Sequence, residues 1–208
     1  MFQDRQHAGQ LLGEKLRAFH DTDAIVVAIP YGGIPVGYQL AKELNLQLEI
    51  VPCKQIRHPG CRDKSIGSVG VEEAIVHEEL GDDIPHDYIS HQITSLQRGL
   101  KKQHETLSSD RDVDFKDKTI ILVDDRLKTG DTILAGIRSV QKQGPAKVVV
   151  AVPVATTSGA EVIRPEANEL VCLELFPDPA SVSNAFQELN PVDEEEALQL
   201  LNKNLKVN

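Results

Sequence analysis

The sequence predicts an α/β fold in which helices flank a parallel sheet. Five short segments rich in Val, Ile and Leu are typical of strands that are buried on both faces. These candidate strands are residues 24–29, 48–52, 119–123, 147–152 and 170–174. Between them lie segments whose apolar residues are three or four positions apart, the spacing of an amphipathic helix. Strands that alternate with helices in this way usually form one parallel sheet with helices on both faces.

Helices are predicted where this spacing is clearest. The apolar residues that define the first three helices are Ala8, Leu11, Leu12 and Leu16, then Val36, Leu40 and Leu44, and then Ile133, Ile137 and Val140. The third helix is expected to end at Gly144-Pro145, because glycine favours a helix C-terminus and proline cannot continue the helix. Near the C-terminus, Asn190-Pro191 is predicted to cap a short helix. The acidic run 193–196 then lies in the first turn, where the helix dipole favours negative charge.

Residues 54–115 interrupt the regular alternation of strands and helices. A weakly alternating stretch from Ser65 to Val76 predicts a β-hairpin. Apolar residues at helical spacing then predict a helix over residues 87–107. The sequence contains no internal repeat and no long linker, so residues 1–208 are predicted to form a single domain.

Composition argues against several classes of function. The chain has 22 Lys and Arg against 32 Asp and Glu, and the net charge of −10 would repel a nucleic-acid backbone. No segment approaches the roughly 20 apolar residues of a membrane span, and the first residues carry no apolar secretion signal. A cytoplasmic protein is therefore expected. The three cysteines form neither a Cys-x-x-Cys pair nor a set of zinc ligands, so no disulfide framework or structural metal site is predicted.

The segment that follows the third predicted strand carries the most information about function. Two carboxylates, Asp124 and Asp125, stand at the end of the strand, where ligands bind in open α/β sheets. Backbone N–H groups and the hydroxyls of Thr129 and Thr132 then surround the start of a helix, which suits a phosphate, and Gly130 permits a close backbone approach. Carboxylates would repel a phosphate but can accept hydrogen bonds from the vicinal hydroxyls of a sugar. The pattern predicts a ribose 5-phosphate site, and the alternative is an ordinary strand–turn–helix corner.

The pattern Val-Asp-Asp-x-x-x-Thr-Gly-x-Thr at residues 123–132 resembles the signature with which type I phosphoribosyltransferases bind 5-phosphoribosyl-1-pyrophosphate (PRPP). The resemblance implies a parallel sheet with a small hood and a flexible loop. It also implies that Asp124 and Asp125 hold the ribose hydroxyls and contact Mg²⁺ indirectly, the ion being bound mainly by the substrate. Residues 128–132 would wrap the 5′-phosphate, with Lys128 joining the two aspartates as a catalytic residue. Asp131 fits this loop if its side chain points away and only its N–H is used.

A second resemblance lies after the first predicted strand. The family binds pyrophosphate with the backbone of this loop, so Tyr31, Gly32 and Gly33 are candidate substrate-binding residues, as is Lys54 after the second strand. A plain tight turn is the alternative for the two glycines. Over residues 1–175 the chain is most similar to a subgroup of phosphoribosyltransferases with uncharacterised acceptors. The matching residues are Phe2, Asp4, Arg5, Ala8 and Gly9 at the start and Pro59, Gly60, Gly67 and Val69 in the later loop.

The sequence departs from this subgroup where pyrophosphate would bind. Tyr31 stands in place of an Arg and Gln55 in place of a Lys, and each change removes a cation. In the family, residues 54–76 would fold over the substrate, and three cations of this stretch could replace the missing ones or could simply be solvated. These cations are Arg57, Arg62 and Lys64. Lys128 and Asp131 occupy positions where small residues are common.

Two functions follow from the resemblance. The first is a Mg²⁺-dependent phosphoribosyltransferase acting on an acceptor that is expected to be a nitrogenous base. The second is a non-catalytic sensor of PRPP or a nucleotide, since fold alone does not establish function. A phosphatase-like or response-regulator-like domain is a third possibility, but the first strand lacks the acidic pair that would hold its Mg²⁺. The hood, expected from the N-terminal helix and residues 176–190, would choose the acceptor, and a homodimer is possible by resemblance.

Overall fold

The protein is described by a computed structural model that covers residues 1–77, 84–108 and 113–205, and only the backbone of Arg62, Asp63 and Leu205. The strands of these ranges are β1 (Ile25–Ala28), β2 (Gln47–Ile50), β3 (Lys54–His58), β4 (Cys61–Val69), β5 (Ala74–Val76), β6 (Thr119–Val123), β7 (Lys147–Thr156) and β8 (Glu169–Phe176). The helices are α1 (Arg5–Lys15), α2 (Gly33–Leu44), α3 (His86–Leu107), α4 (Asp131–Gln141), α5 (Thr157–Ile163), α6 (Pro179–Ser183) and α7 (Glu194–Leu205), and a 3-10 turn spans Arg17–Phe19.

A five-stranded parallel sheet in the order β2-β1-β6-β7-β8 forms the centre of the fold, which confirms the predicted fold class. Alternate residues of each strand face opposite sides. In β1, Val26 and Ala28 join the core cluster under α1, α2 and α7, whereas Ile25 and Val27 join the cluster under α4 and α5. Both faces of the central strands are therefore buried, which explains why β1, β6 and β7 are nearly continuous apolar runs rather than alternating ones.

A second, antiparallel sheet in the order β3-β4-β5 packs with α3 around its own small core. The predicted hairpin is confirmed as β4 and β5. The partner strand β3 was not predicted, because in its sequence Lys-Gln-Ile-Arg-His only Ile56 is apolar and buried, so no alternation is visible. The small sheet and α4 are in contact, which brings it beside the start of that helix.

Strand β7 is longer than predicted because it continues through Pro153 to Thr156. Proline is disfavoured inside a sheet because it cannot donate a hydrogen bond, but sheet edges tolerate it. The regular pairing with β6 ends at Ala151, so β7 is an edge on that side when it reaches Pro153. Beyond this point a single bridge joins Leu127 to Ala155.

The C-terminal helix was predicted correctly, but its cap was not. α7 begins at Glu194, and the side chain of Asp193 accepts a hydrogen bond of 2.8 Å from the N–H of Glu196. Asp193 is therefore the capping residue rather than Asn190, and the glutamates that follow it occupy the first turn as expected. Within the described ranges, no helix combines the length and the apolarity that a membrane span requires.

Candidate functional site

The carboxyl ends of β1 and β6 bring the two glycines and the two aspartates together. The N–H of Ile29 donates to the carbonyl of Val123 over 2.9 Å, so the two strand ends are in register. A Cβ atom on Gly32 would lie 2.5 Å from Oδ2 of Asp125, and one on Gly33 would lie 2.7 Å from the carbonyl oxygen of Val123. A side chain at position 33 would meet the backbone after β6, and one at position 32 would displace the Asp125 carboxylate, so the close approach of the two loops favours glycine at both positions.

Asp124 is half-buried at the end of β6, and its Oδ1 accepts a hydrogen bond of 2.8 Å from the N–H of Asp125. Burial, and next to it the negative charge of Asp125, raise the pKa of Asp124 well above its usual range. A partner that donates a hydrogen bond to this carboxylate, such as a hydroxyl group, would offset the cost of its burial.

Asp125 is buried and carries two arginine partners. Its Oδ2 accepts from Nη2 of Arg5 at 2.8 Å and from Nε of Arg5 at 2.9 Å. Nε of Arg126 lies 3.3 Å from the other oxygen, Oδ1. These guanidinium groups compensate a carboxylate that burial alone would disfavour.

The loop after the aspartates encloses a cavity of about 210 Å³ at the start of α4. The residues that line it are Gln55, Asp124, Asp125, Arg126, Leu127, Lys128, Thr129, Gly130, Thr132 and Ile133. Gly130 has a φ of +92°, a conformation that glycine adopts without a steric penalty. The first N–H groups of a helix have no intrahelical acceptor, and they carry the positive end of its dipole. The cavity can therefore accept an anion.

The far end of β7 holds this loop in place. The N–H of Leu127 donates to the carbonyl of Val154 at 2.9 Å, and the N–H of Thr156 donates to the carbonyl of Leu127 at 2.8 Å. The hydroxyl of Thr156 also donates to the carbonyl of Lys128 and accepts from the N–H of Gly159. Sequence reasoning missed Thr156, because the predicted strand ended before Pro153.

Two cations stand beside the cavity. Burial, and after it the positive charge of Arg126, lower the pKa of Lys128. Both side chains are partly exposed and line the cavity, so a bound anion would relieve their mutual repulsion. Lys128 was predicted as a site residue from the sequence, whereas Arg126 was not, although Arg126 directly follows the aspartates.

Asp131 is buried and its carboxylate is turned toward the small sheet. Oδ1 lies 2.8 Å from Nε2 of His77, and Oδ2 accepts a hydrogen bond of 2.8 Å from the hydroxyl of Thr129. The same Thr129 oxygen accepts from Nε2 of Gln55 at 3.2 Å. Asp131 is absent from the cavity lining, and its side chain links Thr129 to His77, the residue that follows β5, while Thr129 in turn contacts Gln55 of β3.

The other candidate residues lie around this centre. Lys54 is exposed at the start of β3 and is not among the described residues that line the cavity, whereas its neighbour Gln55 is. Tyr31 is half-buried and packs against the core cluster under α2. Arg57 and Lys64 are exposed on the small sheet, and the side chain of Arg62 lies outside the described part.

Comparison with known proteins places this geometry in a family. A family model described as a phosphoribosyl transferase domain matches residues 3–185. Two curated Mycobacterium tuberculosis proteins, MT0597 and Rv0571c, are named provisionally as phosphoribosyl transferases. Each is 25% identical over 213 residues, a match that includes 98% of this chain and 47% of the relative. The chain thus spans about half the length of the curated relatives it matches.

Solved structures show the same fold. The crystal structure of TT1426 from Thermus thermophilus has a TM-score of 0.80 and 29% identity, over 97% of this chain and 98% of that one. A hypoxanthine phosphoribosyltransferase of Staphylococcus aureus has a TM-score of 0.50 and 15% identity, over 84% of this chain and 73% of that one. At that identity the second likeness concerns the fold alone.

Proposed function

The chain belongs to the phosphoribosyl transferase domain family, and from this premise we propose that it binds PRPP at residues 124–132 and transfers the phosphoribosyl group to an acceptor. The observation that carries the proposal is the composition of the cavity after β6. Its lining combines the two carboxylates that follow the strand, the cations Arg126 and Lys128, and the N-terminus of α4, and Arg126 also contacts Asp125. A sugar diol next to a phosphate matches this combination of carboxylates and anion-binding groups.

The proposed reaction is a displacement at C1 of ribose. The bond from C1 to the pyrophosphate oxygen breaks, this oxygen keeps the electron pair, and an acceptor nitrogen forms the new bond to C1. Positive charge develops on the ribose ring as the bond breaks. Asp124 and Asp125 would hold the ring by its hydroxyls and supply negative charge close to it, so catalysis would come from positioning and electrostatic stabilisation.

The phosphate groups would be held by the rest of the loop. Backbone N–H groups at residues 129–132 and the hydroxyl of Thr132 suit the 5′-phosphate, whereas Arg126 and Lys128 suit the more negative pyrophosphate. These two cations take over the role for which Arg57, Arg62 and Lys64 were considered. The cations that the subgroup carries at positions 31 and 55 are then not required for PRPP binding.

Mg²⁺ is the cofactor that the family implies, and the site is compatible with it. In the described ranges, no three or more His, Cys, Asp or Glu side chains are grouped so that they could hold a metal ion. Both oxygens of Asp125 face arginine side chains, while Oδ1 of Asp124 accepts a backbone N–H. Such a pair suits an ion that takes most of its oxygen ligands from the diphosphate and from water. When bound, the ion would neutralise charge on the leaving pyrophosphate.

A non-catalytic sensor of PRPP or a nucleotide is the second candidate. Tyr31 favours it, because a half-buried aromatic side chain stands where the subgroup places a pyrophosphate-binding cation. A sensor would bind the ribose phosphate and would discriminate poorly between ligands with and without pyrophosphate. The two functions therefore differ in a measurable way.

The test is PRPP-dependent release of pyrophosphate in the presence of Mg²⁺ and a panel of purine and pyrimidine bases. We expect release with at least one base, and Lys128→Gln is expected to weaken PRPP binding about 10-fold or more because it removes a charge-assisted contact. Lys42→Gln, an exposed lysine on α2, is the matched control and should change nothing. If no base supports release and PRPP binds no more tightly than ribose 5-phosphate, the sensor replaces the transferase.

A further inference from the structure

Arg5 connects three parts of the molecule that are far apart in sequence. It is the first residue of α1, and its guanidinium group reaches Asp125 through Nε and Nη2. The third nitrogen, Nη1, donates to the carbonyl oxygen of Asn190 over 2.6 Å. The side chain is 12% exposed and is not among the described residues that line the cavity after β6.

The N-terminal segment fixes the position of Arg5. The side chain of Asp4 caps α1 by accepting a hydrogen bond of 2.7 Å from the N–H of His7. A Cβ atom on Gly9 would lie 2.6 Å from the carbonyl oxygen of Val36, so α1 lies directly against α2. Asp4 and Gly9, two of the residues by which the start of the chain resembles its subgroup, therefore have a structural role in placing α1.

Phe2 anchors the other side of the N-terminal segment. The N–H of Phe2 donates to the carbonyl of Ala185 at 2.8 Å, and its ring lies 5.5 Å from that of Phe186. Phe186 is buried in this contact. Arg5 thus emerges from a segment that is anchored on both sides.

The two arginines on Asp125 differ in what they can do. Arg126 lines the cavity and has one contact of 3.3 Å with Oδ1, so a ligand can compete for it. Arg5 makes two shorter contacts with Oδ2 from outside the cavity, and the backbone carbonyl of Asn190 fixes its orientation. The two donors of Arg5 fix the position of Oδ2, while Oδ1 lies on the side of Arg126, a residue that lines the cavity.

We propose that Arg5 is a positioning residue for ribose recognition: it holds Asp125 in the orientation in which its carboxylate meets a ribose hydroxyl. The inference rests on the proposed function, because it assumes that the cavity takes a ribose phosphate. It assigns a role in the ribose site to a residue that lies 120 positions away from Asp125 in the sequence. Arg5 itself does not contact the ligand.

The experiment compares two ligands, one with the diol and one without it. Calorimetric titration with ribose 5-phosphate and with methyl phosphate is performed on the wild type, on Arg5→Gln and on Arg5→Lys. We expect Arg5→Gln to weaken the binding of ribose 5-phosphate about 10-fold or more. The binding of methyl phosphate should not change, because the groups that bind phosphate are intact. The affinity of Arg5→Lys for ribose 5-phosphate should lie between those of the wild type and Arg5→Gln, since lysine keeps the charge but loses the fork geometry of the guanidinium group. Arg17→Gln, at an exposed arginine of the 3-10 turn, is the control.

A double-mutant cycle shows whether Arg5 acts through Asp125. Once Asp125→Asn is present, adding Arg5→Gln should have little further effect on ribose 5-phosphate. Equal weakening of both ligands, additive effects or unchanged binding would each overturn the proposal, and circular dichroism shows whether a variant has lost its fold. If the wild type binds neither ribose 5-phosphate nor PRPP, the proposed function itself fails. That outcome is distinct from a loss of the Arg5 effect alone.

Discussion

Replacing Gly32 with alanine is expected to weaken ribose phosphate binding although the change removes no polar group from the site. The backbone of Gly32 has φ −60° and ψ −35°, which an alanine adopts without strain. The substitution alone would therefore stabilise the protein by about 0.4–1 kcal/mol through the unfolded chain. Any loss of stability or of ligand binding must therefore come from the contact that the new methyl group makes.

The size of that contact follows from the structure. The new Cβ would lie 2.5 Å from Oδ2 and 2.7 Å from Cγ of Asp125, whereas ordinary contacts begin at 3.4 Å. The carboxylate must then move by about 0.9 Å away from Gly32, which disturbs its contacts with Arg5, and overpacking of this kind costs about 1–3 kcal/mol. A displacement of about 1 Å at a reacting group can reduce activity about 100-fold. We expect a net destabilisation of about 1 kcal/mol, or about 2–4 °C in Tm.

The assay combines thermal unfolding with calorimetric titration of ribose 5-phosphate. Gly99→Ala on α3 is the control, because its Cβ would meet nothing within 4 Å. Its only effect should be the better helix propensity of alanine, which raises stability by up to about 1 kcal/mol. The reasoning is refuted if Gly32→Ala melts at or above the wild-type temperature and binds the ligand equally well.

Three further changes probe the rest of the molecule. Asp124→Asn should raise the free energy of unfolding at pH 7 by about 1 kcal/mol. The pKa of Asp124 is higher in the folded protein than in the unfolded chain, so the wild type loses stability as the pH rises from the unfolded-state pKa through the folded-state pKa. Urea unfolding at pH 4 and at pH 7 measures this loss. His77→Ala leaves the buried Asp131 carboxylate one partner short, which should cost about 1–3 kcal/mol and weaken ribose 5-phosphate binding. Asn204→Ala removes the acceptor of the buried Leu48 N–H and should cost about 1–3 kcal/mol without changing ligand affinity.

Each of these predictions has its own contradicting result. For Asp124→Asn it is a gain in stability that is as large at pH 4 as at pH 7. For His77→Ala, the stability loss should be smaller when Asp131→Ala is already present, because the carboxylate that needs a partner is then gone. An equally large loss in the Asp131→Ala background contradicts the prediction. For Asn204→Ala it is an unchanged denaturation midpoint, or weaker ligand binding by the folded variant.

The central sheet and the cavity after β6 could be predicted because their signals are local. Strands buried on both faces must be apolar throughout, and this is visible in any short window of the sequence. A strand, two acids and a glycine-containing helix start are likewise contiguous, so the sequence predicts a loop that can accept an anion at this place. The mutual approach of Gly32 and Asp125 follows only once β1 and β6 are known to be parallel neighbours, because both residues follow the carboxyl ends of these strands.

The parts that could not be predicted depend on distant contacts or on mixed patterns. No pattern links Arg5 to Asp125 or His77 to Asp131, since each pair meets only after the elements have packed. β3 carries a single buried apolar residue, Ile56, so its sequence does not alternate. β7 runs through a proline, which usually marks the end of a strand.

The most direct test of the central claim is calorimetric titration of PRPP with Mg²⁺, beside ribose 5-phosphate and free pyrophosphate. The comparison protein is the double variant Asp124→Asn/Asp125→Asn. We predict that the wild type binds PRPP more tightly than ribose 5-phosphate and that the double variant loses this binding. If the wild type binds neither ligand, or if the double variant binds PRPP as well as the wild type does, the cavity at residues 124–132 is not a ribose phosphate site.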